Sequence, residues 1–307
     1  MEARTGRKCG PQKSREDFSR KKVNSFRFIH DHKTRCPIAV LCRKLGVSRG
    51  GYYAWVKRKQ SQRALENEAL LTEIKQVHCQ SQERYGYPRV HAELKRQGIH
   101  CGRHRVAHLM RENGILGSKA RRFRNHRHKH HIYDSSQNLL LNRAPVTAIN
   151  QVWVGDITFI RIGKDWSYLS VVMDLYSRKI LGWTFAKQRS AELVGESLIM
   201  AADTNPSTSA TIFHSDQGSE YASKHYINVL KERNLQVSMS RKGHCWDNAH
   251  MESFFHTLKT EMVYFHHFKT LEEATAYIMD YIHFYNHERI HSGLDYLTPV
   301  ECEQLAA

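Results

Sequence analysis

The chain lacks any apolar run approaching the roughly 20 residues that span a bilayer. Its first 25 residues, MEARTGRKCGPQKSREDFSRKKVNS, contain no apolar stretch of signal-peptide length. No basic amphipathic helix with a Trp/Leu face is visible, which removes a membrane surface as the expected partner. The seven cysteines are scattered and odd in number, and no C-x-x-C pair occurs, so neither a disulfide framework nor a structural zinc site is expected. Cys101, His104 and His108 have spacings a metal could use, but two of the three fall on one expected helix. Together these absences predict a reduced, soluble, cytosolic protein with a polar, poorly ordered tail over residues 1–25.

Acidic residues are scarce in one half only. Residues 1–148 carry 33 basic and 11 acidic side chains, a net of +22, whereas the remaining 159 residues carry 14 and 19, a net of −5. One half is therefore built to meet a polyanion, and counterion release from nucleic acid is the physical force that rewards such a patch. The length, 307 residues, suggests about two domains.

Within the basic half, residues 36–58, CPIAVLCRKLGVSRGGYYAWVKR, place Ile38, Leu41, Cys42 and Leu45 at helical spacing before Gly46, with Ser48 as a cap for the next helix. That is helix-turn-helix grammar, with Tyr52, Tyr53 and Trp55 closing it as core. Residues 64–118 repeat the theme. Leu70, Leu71, Ile74 and Val77 mark one helix, YGYPRVHAELKRQG a second, and GRHRVAHLMRENGI a third after Gly98. In the third, Val106, Leu109 and Met110 point inward, while Arg103 and Arg105 lie near the start, where a recognition helix meets the major groove. A plain helical bundle with a solvated basic face is the alternative. Residues 119–131, KARRFRNHRHKHH, have six Lys/Arg, four His and no apolar face; this is a basic linker that tracks phosphates or serves as a solvated hinge. Arg49, Arg103, Arg105, Arg121, Arg122 and Arg124 are the candidate DNA contacts in this half.

From Ala148 the texture changes. QVWVGDITFIRIG, SYLSVVMDLYS and RKILGWTFA are β-rich runs separated by short turn signals, which predicts an antiparallel three-stranded meander. A helix at 190–202, a strand at 210–214, a helix near 219–233, a strand at 235–240 and a long helix over 246–264 follow. The expected fold is an α/β catalytic domain, a ribonuclease-H-like mixed sheet with flanking helices, preceded by the all-α helix-turn-helix region. The expected boundaries are a first helix-turn-helix over 26–60, a second helical DNA-binding unit over 61–118, a basic linker over 119–147, the catalytic domain over 148–265 and a C-terminal helical segment over 266–307.

Three acids stand out in that order. Asp156 lies inside the first strand, between Trp153, Val154, Ile157 and Phe159, where an unpaired carboxylate is costly to bury. Asp216, in TIFHSDQGSEYAS, follows the fourth strand; alone it also suits an ordinary Asp-x-Gly turn. Glu252 sits on the long helix, where Asn248, Glu252, His256 and Lys259 form one polar stripe beside the apolar Met251, Phe254, Phe255, Leu258 and Met262. The acids are 60 and 36 residues apart. Clustered carboxylates repel and need divalent metal to coexist ionised, and two Mg²⁺ ions roughly 3.5–4 Å apart can activate an attacking oxygen and stabilise a leaving one. Asp174, in VVMDLYS, is left without a functional role.

WVGDITFI, FHSDQGSEYAS and SMSRKGHCWDNAHMESFFHTLKTE closely resemble the three acidic motifs of DDE transposases in the retroviral-integrase superfamily. The tail YIHFYNHERIHSGLDYLTPVECE and the tandem helix-turn-helix resemble the second-reading-frame transposase of a large family of bacterial insertion sequences. The resemblance covers roughly residues 26–304; residues 1–25 have no counterpart in it. It implies that Asp156, Asp216 and Glu252 are the catalytic, metal-binding triad, holding two Mg²⁺ with Mn²⁺ as an alternative. It also implies that Lys259 contacts DNA near the ends. Further implied are binding to terminal inverted repeats, a homo-oligomer on DNA, a circular copy-out-and-paste-in pathway and no small-molecule cofactor. One departure is Gly155, where the family usually has a polar β-branched residue; glycine weakens a strand interior, so reduced activity is conceivable. A nuclease that cuts without joining and a DNA-binding regulator with an inactive catalytic fold are the rival functions.

Overall fold

The computed structural model describes residues 15–118, 138–141, 143–208, 210–241 and 248–306, the backbone alone over 15–21. The chain divides into two compact units that meet between Ala69 and Leu70.

Among the described residues, the first unit holds α1 (Arg15–His32), α2 (Ile38–Lys44), α3 (Arg49–Lys57) and the start of a fourth helix. Residues 1–14 of the expected tail lie outside the described residues; residues 15–25 are helical, as the leading part of α1. The physical reason is packing downstream: Ile29 is fully buried with Leu41, Cys42 and Tyr52, and Phe26 packs against the same cluster. A helix anchored at that point extends backward through ordinary helix formers. Gly46 adopts φ +64° at the turn after α2, a conformation that favours glycine. The Ser48 hydroxyl accepts a 3.0 Å hydrogen bond from the Gly51 amide and caps α3. Of the three aromatics expected in this core, Tyr52 is buried, Trp55 is partly buried and Tyr53 is exposed, because adjacent residues on a helix point about 100° apart.

The second unit begins within α4 (Gln62–Gln80) and continues through α5 (Tyr87–Arg96) and α6 (Arg103–Glu112). Gly98, with φ +80°, turns the chain after α5. Val106, Leu109 and Met110 are buried, as their spacing predicts, and Arg103 opens α6.

Among the described residues the five strands are β1 (Val152–Ile162), β2 (Asp165–Asp174), β3 (Ile180–Ala186), β4 (Ile212–Ser215) and β5 (Gln236–Met239), in the order β3-β2-β1-β4-β5. The first three form the antiparallel meander, and β4 then pairs parallel to β1 and β5 parallel to β4. Strand periodicity sorts the side chains onto two faces. Val152, Val154 and Ile160 pack towards α9 (Ala249–Glu261) and α10 (Leu271–His287), in an apolar cluster that runs on into α4, α5 and α6. Trp153, Val172, Leu181 and Phe213 pack towards α7 (Ala191–Thr204) and α8 (Lys224–Glu232). This is the ribonuclease-H-like mixed sheet, preceded by a helical region. No described helix is long and apolar enough to cross a membrane.

A buried ionic clamp ties these layers together. Glu261, the last residue of α9, accepts hydrogen bonds from Arg289 Nε and Nη2, both 2.8 Å, from Arg89 Nη1 on α5 at 3.2 Å, and from the Tyr281 hydroxyl on α10 at 3.0 Å. Tyr85 adds a second tie, donating to the Glu288 carbonyl and accepting from the Ile290 amide. Burial alone would raise the Glu261 pKa, but the hydrogen bonds and charge of Arg289, with Arg89 beyond, hold it below the ordinary carboxylate value. Its contribution to stability is therefore complete above the ordinary carboxylate range and is lost as pH falls through the depressed value. Replacing Glu261 with Gln, which leaves Arg289 buried without a counter-charge, is expected to cost about 3–5 kcal/mol in denaturant unfolding at neutral pH. The cost should shrink on acidification; an unchanged midpoint at neutral pH would show that the clamp adds nothing.

Candidate active site

The seam between β1 and β4 places two of the three acids. Val152, Trp153 and Val154 pair in parallel with Ile212, Phe213 and His214. Carried two residues further, the same register sets Asp156 level with Asp216, just where β4 ends at Ser215. The two side chains hold their places by local bonds. Asp156 Oδ1 accepts from the Ile157 amide at 2.8 Å, and Asp216 Oδ1 accepts from the Gly218 amide at 2.9 Å. Asp216 is thus a turn aspartate and a strand-end acid at once. A Cβ on Gly218 would sit 2.9 Å from Asp216 Oδ1 and 3.1 Å from Glu220 Oε2, so a side chain here would make those carboxylates shift.

Burial, then the neighbouring charge of Asp216, pushes the Asp156 carboxyl up to about 8, and the charge of Glu252 acts in the same direction. Arg189, just before the α7 cap, opposes that shift. It ion-pairs with Glu220 at 2.8 Å across the turn that carries Asp216. Glu252 is on the exposed side of α9, and partial burial raises its pKa. Met251, Phe254, Phe255, Leu258 and Met262 are all buried, so the apolar face fixes which way the polar stripe looks.

Asn248 links α9 to β1. Its Nδ2 donates to the Gly155 carbonyl at 3.2 Å, and its buried Oδ1 has no partner among the described residues. In the last turn of the same helix, Lys259 Nζ lies 4.5 Å from the centre of the Phe159 ring on β1. Burial lowers its pKa, and the charge of Asp156 works against that lowering. Among the described residues, no group of three His, Cys, Asp or Glu side chains is disposed to hold one metal ion.

Gly155 corrects an expectation. A Cβ there would meet Phe213 Cζ at 2.4 Å, and Phe213 is buried. The glycine is matched to that ring and is not a weak point in the strand. Asp174 is structural, as its neutral reading in the sequence allows: buried, it accepts from the amides of Asn150, Tyr176 and Ser177 at 2.8–2.9 Å. His214 is also buried, with its ring nitrogens 2.8 and 3.0 Å from the hydroxyls of Ser238 and Ser240.

The other candidates are dispersed. Arg49 opens α3 and is exposed; Arg103 opens α6 with its guanidinium 5.3 Å from the centre of the Tyr87 ring; Arg105 lies one half-turn on. Arg121, Arg122 and Arg124 lie outside the described residues. Sequence reasoning gave Asn248 no role beyond its stripe and passed over Arg189 and Glu220. The Arg189–Glu220 pair is 31 residues apart in the chain, and no local pattern announces it.

Comparison with known proteins agrees with this architecture. The integrase core domain model matches residues 146–245, a second integrase core domain model matches residues 252–305, and an HTH-like domain matches residues 65–123. The class is that of integrase-core, polynucleotidyl-transferase enzymes. Among solved structures, the HTLV-2 integrase catalytic core domain in complex with magnesium is 13% identical with a TM-score of 0.41, covering 51% of this chain and 97% of that one. The insertion element IS600 31 kDa protein of Shigella sonnei is 39% identical over 84% of this chain and 96% of its own length. The transposase InsF for insertion sequence IS3A of Escherichia coli (strain K12) is 37% identical over 90% of this chain and 97% of its own length. The chain belongs to this family, the IS3-type insertion-sequence transposases.

Replacing Gly155 with Thr is expected to destabilise the protein by about 1–3 kcal/mol through overpacking against Phe213. Adding Phe213→Leu should recover part of that loss in thermal or denaturant unfolding. A stable Gly155→Thr variant with no coupling to position 213 would contradict the packing account.

Proposed function

We propose that Asp156, Asp216 and Glu252 are the catalytic acids of this transposase and that they hold divalent metal, two Mg²⁺ ions with Mn²⁺ as an alternative. The observation that carries this is the parallel register setting Asp156 beside Asp216, together with the upward push that Asp216 and Glu252 exert on the Asp156 carboxyl. The donor chemistry suits such ions, although the three side chains are not grouped around one point here: the oxygens are hard, the carboxylates repel one another, and a cation among them would remove that repulsion. When bound, the ions supply activation of an attacking oxygen and stabilisation of a leaving oxygen at phosphorus.

The rest of the reaction falls to the chain's own groups. The Asp216 turn, closed by the Gly218 amide and braced by Arg189 and Glu220, keeps one carboxylate fixed at the strand end. Asn248 holds the start of α9 against the β1 backbone at Gly155, which sets where Glu252 stands relative to Asp156. Lys259, two turns beyond Glu252, offers a positive charge to a phosphate near the reacting strand. Arg49, Arg103, Arg105 and the linker arginines Arg121, Arg122 and Arg124 bind the inverted-repeat ends, supplying the phosphate and groove contacts that set register on the duplex. Water or a DNA 3′-hydroxyl attacks the phosphodiester in line, with no covalent protein–DNA intermediate. Two ends are brought together by a homo-oligomer.

A strand-transfer assay on oligonucleotides bearing the element's ends, with Mg²⁺, tests this. Joined products are expected from the unmodified protein, and Asp216→Ala should lower joining on the order of 10³-fold or more, because several kcal/mol of transition-state stabilisation is at stake. End binding should survive the substitution. Cleavage without joining would favour the nuclease function, binding without cleavage the regulator, and undiminished joining by Asp216→Ala would remove the acid from the mechanism.

A further inference from the structure

The hairpin of β1 and β2 carries two large aromatic side chains that no core residue covers. Phe159 is 44% exposed and Trp166 is 49% exposed. Their rings meet edge to face with centroids 5.0 Å apart. Each ring is also attended by a cation: Lys259 Nζ is 4.5 Å from the Phe159 centroid, and the Arg161 guanidinium is 5.8 Å from the Trp166 centroid. Pairing explains the cluster. Phe159 and Arg161 point to the same face of β1, and Arg161 is directly opposite Trp166 on β2. The pair supports the hairpin as a cross-strand contact, yet about half of each ring still faces water, an apolar patch flanked by cations and open to a partner.

Position and charge indicate what covers it. Phe159 is three residues along β1 from Asp156, roughly 10 Å at about 3.3 Å per residue. Lys259 is seven residues along α9 from Glu252, again roughly 10 Å at 1.5 Å per residue. Strand alternation turns the Phe159 side chain to the opposite face of β1 from Asp156, so the link from the acids to the aromatic pair runs through Lys259, which feels the charge of Asp156 and whose Nζ reaches the Phe159 ring. A DNA strand advances about 3.4 Å per stacked nucleotide, so the pair lies about three nucleotides from a phosphate held at the acids. Exposed rings flanked by Lys and Arg are the composition of a stacking platform for unpaired bases, where the rings take the base face and the cations take the backbone.

We propose that Phe159 and Trp166, with Lys259 and Arg161 beside them, form a stacking site for an unpaired nucleobase about three nucleotides from the scissile phosphate. The site would favour a frayed or single-stranded DNA end over a fully paired one. Its distance from the chemistry rests on the catalytic role given above to Asp156 and Asp216; the stacking itself does not.

The test uses the full chain in Ca²⁺ and duplex oligonucleotides bearing the element's end. The terminal nucleotides are either paired or unpaired, and 2-aminopurine is placed at each of the first four positions in turn. Quenching is expected at one position, with tighter binding of the unpaired end. One stacked base at about 1–3 kcal/mol corresponds to roughly 5- to 150-fold in affinity. Trp166→Ala and Phe159→Ala should abolish the quenching and bring the ratio of unpaired to paired affinity close to one, while Trp166→Phe should keep part of both. Unchanged quenching in Trp166→Ala and Phe159→Ala would overturn the proposal. So would a change confined to self-association in sedimentation, which would make the patch a contact between copies. Asp216→Ala is expected to lose joining but keep the quenching. Joining by an unmodified chain that never quenches would remove the platform and leave the role of the acids standing.

Discussion

Two carboxylates held side by side at the end of a parallel strand pair repel each other, and much of the second unit can be understood as holding them there. The β1–β4 register is set by apolar pairing behind the acids, Trp153 against Phe213 and Val152 against Ile212, in a region that excludes water. That burial also makes the charge on Asp156 expensive, and its carboxyl is pushed up to about 8 by burial and by Asp216. A fold that keeps such a pair without relief carries a standing electrostatic penalty. A divalent cation bound there, as proposed, would relieve it, and the same cost would become a source of cation affinity.

The third acid depends on a different set of constraints. Glu252 is exposed on its helix, so its position is only as good as the placement of α9. That helix is fixed at one end by Asn248 on the Gly155 carbonyl and at the other by Glu261 in the arginine clamp. Because Arg89 of α5 shares the clamp, the helix bearing Glu252 and the helical unit preceding the sheet share one buried ionic anchor. Between the two ends, the buried Met251, Phe254, Phe255 and Leu258 decide its rotation.

Much of this was legible from residue order. Alternation in WVGDITFI and its neighbours gives the meander. The polar stripe on α9 is visible because the apolar residues beside it keep helical spacing. What stayed hidden depends on pairs distant in the chain. Gly155 read as a liability until Phe213, 58 residues away, proved to occupy the space a Cβ would need. The Arg189–Glu220 brace and the Arg89–Glu261 bond join elements that no periodicity relates. Asp174 had no assigned role in the sequence, because its amide partners follow from loop geometry alone. Tyr53 was misplaced because composition identifies an aromatic cluster without saying which member faces out.

The central claim is that Asp156 and Asp216 hold a divalent cation, which would require the Asp156 carboxyl to give up its proton. Calorimetric titration of the DNA-free protein with Mg²⁺ at neutral pH, repeated in buffers of different ionisation enthalpy, measures it directly. Since the Asp156 carboxyl is raised to about 8, it is largely protonated at that pH and must lose its proton when metal binds. The predicted result is proton release on Mg²⁺ binding, with affinity rising as pH approaches 8 and with the release absent in Asp156→Asn. Mg²⁺ binding that releases no proton and is indifferent to Asp156→Asn would contradict the account.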